Sequence, residues 1–442
     1  MLFALYIAEL EERLTKSNLG IAYGAVTVPA LLFADNIVLL AENPDQMTKL
    51  LHILTTFCNM RHLEINPKKS AALQLVKSGE RNFWAIQNIT LETYKKIRKI
   101  IGETDQYKYL GIVINAGSSR FVFHNKKLIN KARVLALQTT SLANRSFNKW
   151  LITDTMWRTI ALPAITYGME IIPSRVQLVK QLDKFQTHAY KHALNLPISI
   201  STMGLLGKIG VLPIQYLWDE RKLLYIHRLE KLEGQNHLCR QIYEETIAQA
   251  HTPTAIQKSS WLYGILKLVT TYNIDFDHLG SMHRLQWEKH VKEKVREKWE
   301  RDWQDHQQKR KIPQGFVRLD KPTLEPYIRH KHAREIVLLR NNCFMKNVFK
   351  IWQSEQLKLQ QCLLCNTMGS LSDSHILLEC MATSILRNDL LQNLDMTTWD
   401  LLPTRDKIRL LLGYGSPLEP TSHTYTFLTQ LLELVQMVQS RV

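Results

Sequence analysis

Acidic residues are what this sequence is short of. Its 442 residues hold 40 Asp and Glu against 57 Lys and Arg, a formal net charge of +17. Glycine (17) and proline (14) are also sparse, which excludes a collagen-like array. The 45% hydrophobic and 22% charged content excludes a disordered chain. There are six cysteines, and Cys58, Cys239 and Cys343 are scattered while Cys362, Cys365 and Cys380 cluster. That pattern suits a reducing compartment and a metal site rather than a disulfide scaffold. Long hydrophobic runs are lacking too. The opening MLFALYIAEL has no basic region before it and is ended by Glu9, Glu11 and Glu12, so it reads as a buried helix or strand end and not a signal peptide. The apolar stretch 159–172 is cut by Pro163, Gly168 and Glu170, short of the ~20 residues a span requires. These absences describe an intracellular protein of nucleus or cytoplasm, neither secreted nor membrane-spanning.

What is present is length, charge and pattern. At ~100–200 residues per domain the chain has room for two to four domains. Its basic excess asks for a polyanionic partner, nucleic acid first and an acidic membrane surface second. The pattern predicts an α+β fold in four regions, 1–124, 125–233, 234–325 and 326–442. In the first, Ala30–Ala34 and Ile37–Ala41 are apolar runs broken by Asp35-Asn36, a hairpin signal. Asn43-Pro44-Asp45 opens a helix carrying Met47, Leu50, Leu51, Leu54 and Phe57. Asn66-Pro67-Lys68-Lys69 reads as a turn, 72–76 as a strand, and 107–114 as one strand with Gly111 at a bulge or close backbone approach.

From Asn125 the pattern turns helical, with Leu128, Ala132, Leu135 and Leu142 on one face. Lys126, Lys127, Lys131 and Arg133 surround that face as candidate nucleic-acid contacts. Residues 234–259 are polar and weakly periodic, a candidate boundary. A long helix over 284–311 repeats Trp287, Val291, Val295, Trp299 and Trp303 every four positions, a core stripe among mixed charges. Lys309-Arg310-Lys311 at its end is a modest phosphate-contact candidate, and a proline-containing stretch, 312–326, follows.

Two constellations carry possible chemistry. Phe33-Ala34-Asp35-Asn36 sets a carboxylate at a hairpin tip, rigid and open to solvent as a Mg²⁺ ligand needs to be, although the same turn suits any hairpin. Cys362-x2-Cys365-x9-His375-x4-Cys380 has the spacing of a closed tetrahedral Cys₃His zinc site, structural in kind because no coordination position stays open. GLLGKIG (204–210) lacks the spacing of a phosphate-binding loop, and neither G-x-S-x-G nor H-E-x-x-H occurs.

In order, the chain shows LLFALYI, FADNIVLLA, a helix, LEINPKKSAALQL and YKYLGIVIN. This series resembles the second half of the palm of a non-LTR retrotransposon (LINE-type) reverse transcriptase. The likeness continues through thumb-like helices into ITYGMEII (165–172) and LLGKIGVLPI (205–214), about residues 1–230 in all. Separately, SHILLEC (374–380), with Arg387 beyond it, resembles the Cys-Cys-His-Cys segment downstream of such enzymes, and LLRNNCFMKN (338–347) resembles the helix before that segment, with Cys343 as core and not ligand. The resemblance implies that Asp35 is a remnant catalytic metal ligand with Asn36 in the degenerate second position. It implies further that Lys68 and Lys69 contact phosphate, and that Tyr109, Leu110 and Gly111 position a primer end. A solvated turn and a core strand are the plainer readings of those two groups.

The departures shape the expectation. The family holds two metal ions with three carboxylates; here the strand bearing the first would precede Met1, and Asn36 replaces the third. The expectation is a reverse transcriptase-like fragment, inactive alone, that keeps RNA, DNA or RNA–DNA hybrid binding, structural zinc and at most weak Mg²⁺. A repurposed zinc-containing protein-interaction module and a relic reading frame without selected function remain open beside it. No nuclease cluster is apparent after Cys380.

Overall fold

The computed structural model describes residues 2–75, 89–92, 98–117, 120–173, 175–198, 200–232, 238–250, 261–275, 280–309, 326–340, 343–345, 361–367, 372–393, 399–412 and 422–439. The fold is α+β, and among the described residues the short strands lie in the N-terminal part. Val76, Arg310, Lys311 and residues 312–325 lie outside the described residues. The chain divides into two compact units. The first takes residues 1–128, 170–173 and 222–288; the second takes 129–169, 174–221 and 289–442.

The first unit is built on two amphipathic helices, α1 (Leu2–Lys16) and α2 (Pro44–Met60). Asn43 caps α2 as its sequence predicts, its side chain accepting from the Gln46 N–H at 2.9 Å with Pro44 at the first position. Leu10 and Leu14 of α1 meet Leu50, Leu54 and Phe57 of α2 in a buried core. Glu9 joins the helices at the surface, bonding Arg13 on its own helix and Arg61 beyond α2.

Among the described residues the strands form four small sheets. Strands β1 (Ile21–Tyr23) and β2 (Val26–Val28) form one hairpin, and β3 (Ala30–Phe33) and β4 (Asn36–Leu39) a second. Ala30, Leu32, Ile37 and Leu39 lay the second hairpin on the α1/α2 core. Next, β5 (Ala71–Ala72) pairs parallel with β7 (Arg98–Glu103), whose other edge takes β6 (Ile89–Glu92) antiparallel. The expected strand over 72–76 is thus only two residues long, and 73–75 have no strand partner. The run 107–114 is not one strand: β8 (Gln106–Tyr109) and β9 (Ile112–Asn115) form a hairpin. Leu110 and Gly111 are its turn, with φ of +43° and +89°, so Gly111 supplies the turn and not a bulge.

Two further features of the first unit were illegible in the sequence. The interval 234–259, read as a polar candidate boundary, holds helix α9 (Leu238–Ala250), which packs on the β1–β2 hairpin. Glu245 accepts from the Ala25 N–H at 3.1 Å, and Tyr23 and Thr246 share a hydroxyl hydrogen bond of 3.1 Å. Gly24, at φ +59°, lies against that carboxylate, where a Cβ would come within 1.8 Å of the Glu245 oxygen. Helix α10 (Trp261–Tyr272) follows, its Trp261 indole donating to the Glu170 carbonyl at 2.8 Å.

The second unit is helical. Helix α3 (Val122–Asn144) starts in the first unit and buries Leu128, Ala132, Ala136 and Ala143. Small residues carry the rest of the expected face: Leu135 is half-buried and Leu142 is exposed. Helix α4 (Lys149–Met156) continues through a π turn at Trp157–Ala161 into α5 (Leu162–Thr166). The Leu162 N–H reaches back to the Trp157 carbonyl, which lets the chain accommodate Pro163, a residue with no N–H to give. Helices α6 (Val176–Ala193) and α7 (Thr202–Lys208) lie wholly in this unit, whereas α8 (Ile214–Glu230) and α11 (Arg284–Lys309) each have residues in both units. Trp287, Val291, Val295, Trp299 and Trp303 are all buried, so the four-residue stripe on α11 is core as expected.

GLLGKIG is explained by packing. Its first five residues lie in α7, and a Cβ on Gly207 would stand 2.0 Å from the Trp303 indole nitrogen. Alanine in a helix normally stabilises relative to glycine by ~0.5–1 kcal/mol. Gly207→Ala is expected to reverse that sign and cost about 1–3 kcal/mol, the range for overpacking. Denaturant unfolding of the variant checks this, and stability equal to or above the parent's would show that the indole does not require the glycine.

Candidate functional site

The β3–β4 hairpin presents the first candidate. Phe33 pairs with Asn36, so the two-residue turn is Ala34-Asp35, one residue earlier than the apolar runs suggested. The shift has a cause in the pairing: Asn36 joins the ladder, leaving Ala34 to make the reversal at φ +51°. A left-handed alanine costs roughly 1–2 kcal/mol, which the strands on either side must hold in place. Phe33, Ala34, Asp35 and Asn36 are all exposed. Asp35 therefore stands as expected, a carboxylate held open to solvent at a tight tip, with Asn36 next to it on a ladder position.

Lys68 and Lys69 lie exposed in a single 3₁₀ turn, Pro67–Lys69. Asn66 shapes it by accepting from the Lys68 N–H at 3.1 Å. The Tyr107 hydroxyl, on β8, reaches the Lys69 carbonyl at 3.4 Å. The structure thus brings the lysine turn beside the hairpin that carries Tyr109, Leu110 and Gly111. Burial raises the Tyr109 hydroxyl above its ordinary pKa, and Leu110 is exposed at the turn. On α3, Lys126, Lys127, Lys131 and Arg133 are all exposed. The Lys126 ammonium lies 5.5 Å from the Phe123 ring, and Lys131 donates to the Ala164 carbonyl at 2.9 Å.

The second candidate is the cysteine–histidine cluster. Among the described residues, one group of three or more His, Cys, Asp or Glu could hold a metal ion: Cys362, Cys365, His375 and Cys380. Their donor atoms all lie within 4.8 Å of one another. The first two cysteines sit on a tight knuckle. Asn366 takes φ +60° and donates to the Cys362 carbonyl at 2.8 Å, and the Cys362 N–H returns to Thr367 at 3.0 Å. His375 lies on the Asp373–Leu378 helix, capped by Ser372, and Cys380 follows two residues after that helix ends.

The donor geometry fits a tetrahedral ion. Bonds of ~2.3 Å to sulfur place two thiolates ~3.8 Å apart. Cys362 and Cys380 Sγ are 3.9 Å apart, and Cys365 Sγ is 3.2 Å from His375 Nε2. His375 Nδ1 lies 3.5 Å from the Glu379 carboxylate, the outer contact that fixes a ligand imidazole. Burial pushes the Cys362 thiol up, and the Cys380 thiol to about 12, so both would need a cation to become thiolates. Cys365 meets the same burial penalty. The Thr367 hydroxyl and N–H, with the His375 ring, outweigh it and draw the thiol down to about 6.

One supporting residue had no sequence signal beyond its place two before the histidine. Asp373 is buried, and its two carboxylate oxygens accept from the backbone N–H groups of Phe344 and Met345 at 2.7 and 2.9 Å. It ties the 343–345 segment to the helix that carries His375. On the far side of the site, Thr383 donates to the Ile376 carbonyl at 2.7 Å, closing the turn after Cys380.

Comparison with known proteins bears on the N-terminal part of the chain. Residues 1–114 match the family described as reverse transcriptase (RNA-dependent DNA polymerase). The N-terminal part of this chain is thus similar to a reverse transcriptase domain. The chain is 36% identical over 105 residues to the retrovirus-related Pol polyprotein from type-1 retrotransposable element R2 of Nasonia vitripennis, covering 22% of this chain and 10% of that protein. It is 29% identical over 142 residues to a putative uncharacterized transposon-derived protein of Caenorhabditis elegans, covering 32% of this chain and 47% of that one. The chain therefore spans a tenth and about half of the lengths of these two relatives. No helix among the described residues is long and apolar enough to cross a membrane.

Proposed function

We propose that this chain is a retrotransposon reverse transcriptase segment that binds RNA or an RNA–DNA hybrid, holds one structural zinc ion and polymerises poorly or not at all alone. The observation that carries the reading is the β3–β4 hairpin, set within the reverse transcriptase match, with Asp35 exposed at its tip and Asn36 beside it. A two-metal nucleotidyl transfer needs carboxylates converging on both ions. Asn36 keeps an oxygen and loses the charge, so Asp35 alone is a weak cage for Mg²⁺. Lys68 and Lys69 would face phosphate, and the Leu110-Gly111 turn would sit near a primer end. The regions 1–124, 125–233, 234–325 and 326–442 would correspond to partial palm, thumb, connecting helices and zinc-bearing tail.

The Cys₃His set would hold zinc as a closed structural centre, contributing folding energy and taking no part in a reaction. The test of the whole reading is primer extension by the purified chain on a primed RNA template, with Mg²⁺ and then Mn²⁺, beside a binding measurement on the same substrate. Binding without extension is the expected result. Extension with either ion would overturn the inactivity, and absence of binding at low salt would overturn the nucleic-acid reading.

A further inference from the structure

The basic excess is unevenly placed. Between Asp105 and Asp154 the sequence carries no Asp or Glu and eight Lys or Arg, and between Asp183 and Asp219 it again carries neither acid. The second unit folds parts of these two intervals against each other. The Trp150 and Tyr190 rings lie 5.5 Å apart, joining α4 to α6, and Asn144 at the end of α3 reaches His192 on α6 at 3.4 Å. Asp154, which closes the first interval, is engaged by Arg158 at 2.7 Å and the Tyr190 hydroxyl at 2.9 Å.

The connection between α3 and α4 is short and held by its own hydrogen bonds. The Ser146 N–H donates to the Ala143 carbonyl at 3.1 Å, Ser146 Oγ accepts from the Asn148 N–H at 3.1 Å, and Asn148 caps α4 through the Leu151 N–H at 2.9 Å. At its apex Phe147 is fully exposed, flanked by exposed Arg145 and half-buried Lys149. Burial, then the neighbouring charges of Lys149 and His188, lower the pKa of His192. Arg334, paired with Glu335 at 3.3 Å, closes the end of α6 by donating to the Asn195 carbonyl at 3.0 Å.

An exposed aromatic ring on a hydrogen-bonded connection, among basic residues drawn from two acid-free intervals, has the composition of a single-strand nucleic-acid platform, where bases stack on rings and basic groups follow the backbone. We propose that the 144–149 connection and the adjoining end of α6 form a docking surface for single-stranded RNA, with Phe147 stacking on a base and Arg145 and Lys149 facing phosphates. The proposal rests on the reverse transcriptase reading for its choice of RNA, and on charge complementarity for the surface itself. None of these residues belongs to the metal cluster or to the Asp35 hairpin.

Binding of labelled oligouridine RNA to the full chain, followed by anisotropy across a salt series, tests it. Phe147→Ala is expected to weaken binding about tenfold with the salt slope unchanged. The double variant Arg145→Ala/Lys149→Ala is expected to flatten the log–log salt slope by about 1.4, two phosphate contacts' worth on a single strand. Lys289→Ala, which removes a cation already paired with Glu293 on α11, is expected to change neither. Circular dichroism melts matching the parent's show that the variants fold. RNA binding by the parent that neither test variant alters overturns this surface and leaves the broader reading standing. Failure of the parent to bind any RNA overturns both. Oligothymidine bound more tightly than RNA overturns the choice of RNA, and a change of oligomeric state in Phe147→Ala with RNA affinity intact assigns the ring to protein contact instead.

Discussion

Cys365→Ser is expected to reduce bound zinc from one ion per chain to well below one, and to unfold the tail around the Asp373–Leu378 helix while α1 and α2 stay folded. The magnitude follows from coupling: structural zinc with four ligands contributes ~10 kcal/mol or more to folding a small module. Serine at that position removes the thiol that already lies 3.2 Å from the histidine. Two measurements check it, metal content by atomic spectroscopy and amide hydrogen exchange. Chelation of the parent should reproduce the exchange pattern, with loss of protection around Ile376 and Leu377, which are buried behind the site. One zinc per chain retained after the substitution would refute the ligand assignment.

Asp183→Asn is expected to stabilise the second unit at alkaline pH and to do so much less in acid. Burial pushes the Asp183 carboxyl up to about 7, an effect the Ile214 N–H at 2.8 Å offsets only in part. In the unfolded chain the group returns to an ordinary carboxylate value of ~3.9. Between those values the folded state binds more protons than the unfolded state, so this group's contribution falls as pH rises through the window. The penalty is nearly absent below pH ~4 and complete above pH ~7. Asparagine keeps the acceptor for Ile214 and carries no charge to bury. The stability gained at pH 8 should therefore exceed that at pH 4.5 by about 2–3 kcal/mol, since each tenfold change in an ionisation constant corresponds to ~1.4 kcal/mol. Denaturant titrations at the two pH values measure the difference, and an equal gain at both would show that ionisation of Asp183 is not the cause.

Local rules made much of this protein readable. The Asn43 cap, the β3–β4 hairpin, the α11 stripe and the Cys₃His knuckle each depend on residues close in sequence, or on a fixed period, and each stands where its pattern put it. Single-residue shifts occurred where two local signals competed. Asp35-Asn36 is the better turn pair by composition, but the ladder between Phe33 and Asn36 moved the reversal onto Ala34. On α3 the face followed geometry and not size, burying Ala136 and Ala143 while Leu142 stayed in solvent.

What stayed hidden was long-range. Nothing near Gly207 announces Trp303, and nothing near Asp183 announces the burial that raises its carboxyl. The Leu110-Gly111 turn was hidden differently: an apolar run from 107 to 114 conceals a reversal unless the left-handed leucine is foreseen. The acid-free intervals were visible as letters, but only the approach of α4 to α6 made them one surface.

The clasp of Glu245 on the β1–β2 hairpin has a consequence for how the chain is made. Ala25 leaves the ribosome 220 residues before its carboxylate partner. At ~5–20 residues per second, the hairpin waits roughly 10–40 s for the helix that closes over it. During that interval Gly24 and its neighbours lack the partner that holds them. Translation that stalls before residue 245 would leave nascent chains in which limited proteolysis cuts at the hairpin, and completed chains would lose that cleavage as α9 arrives.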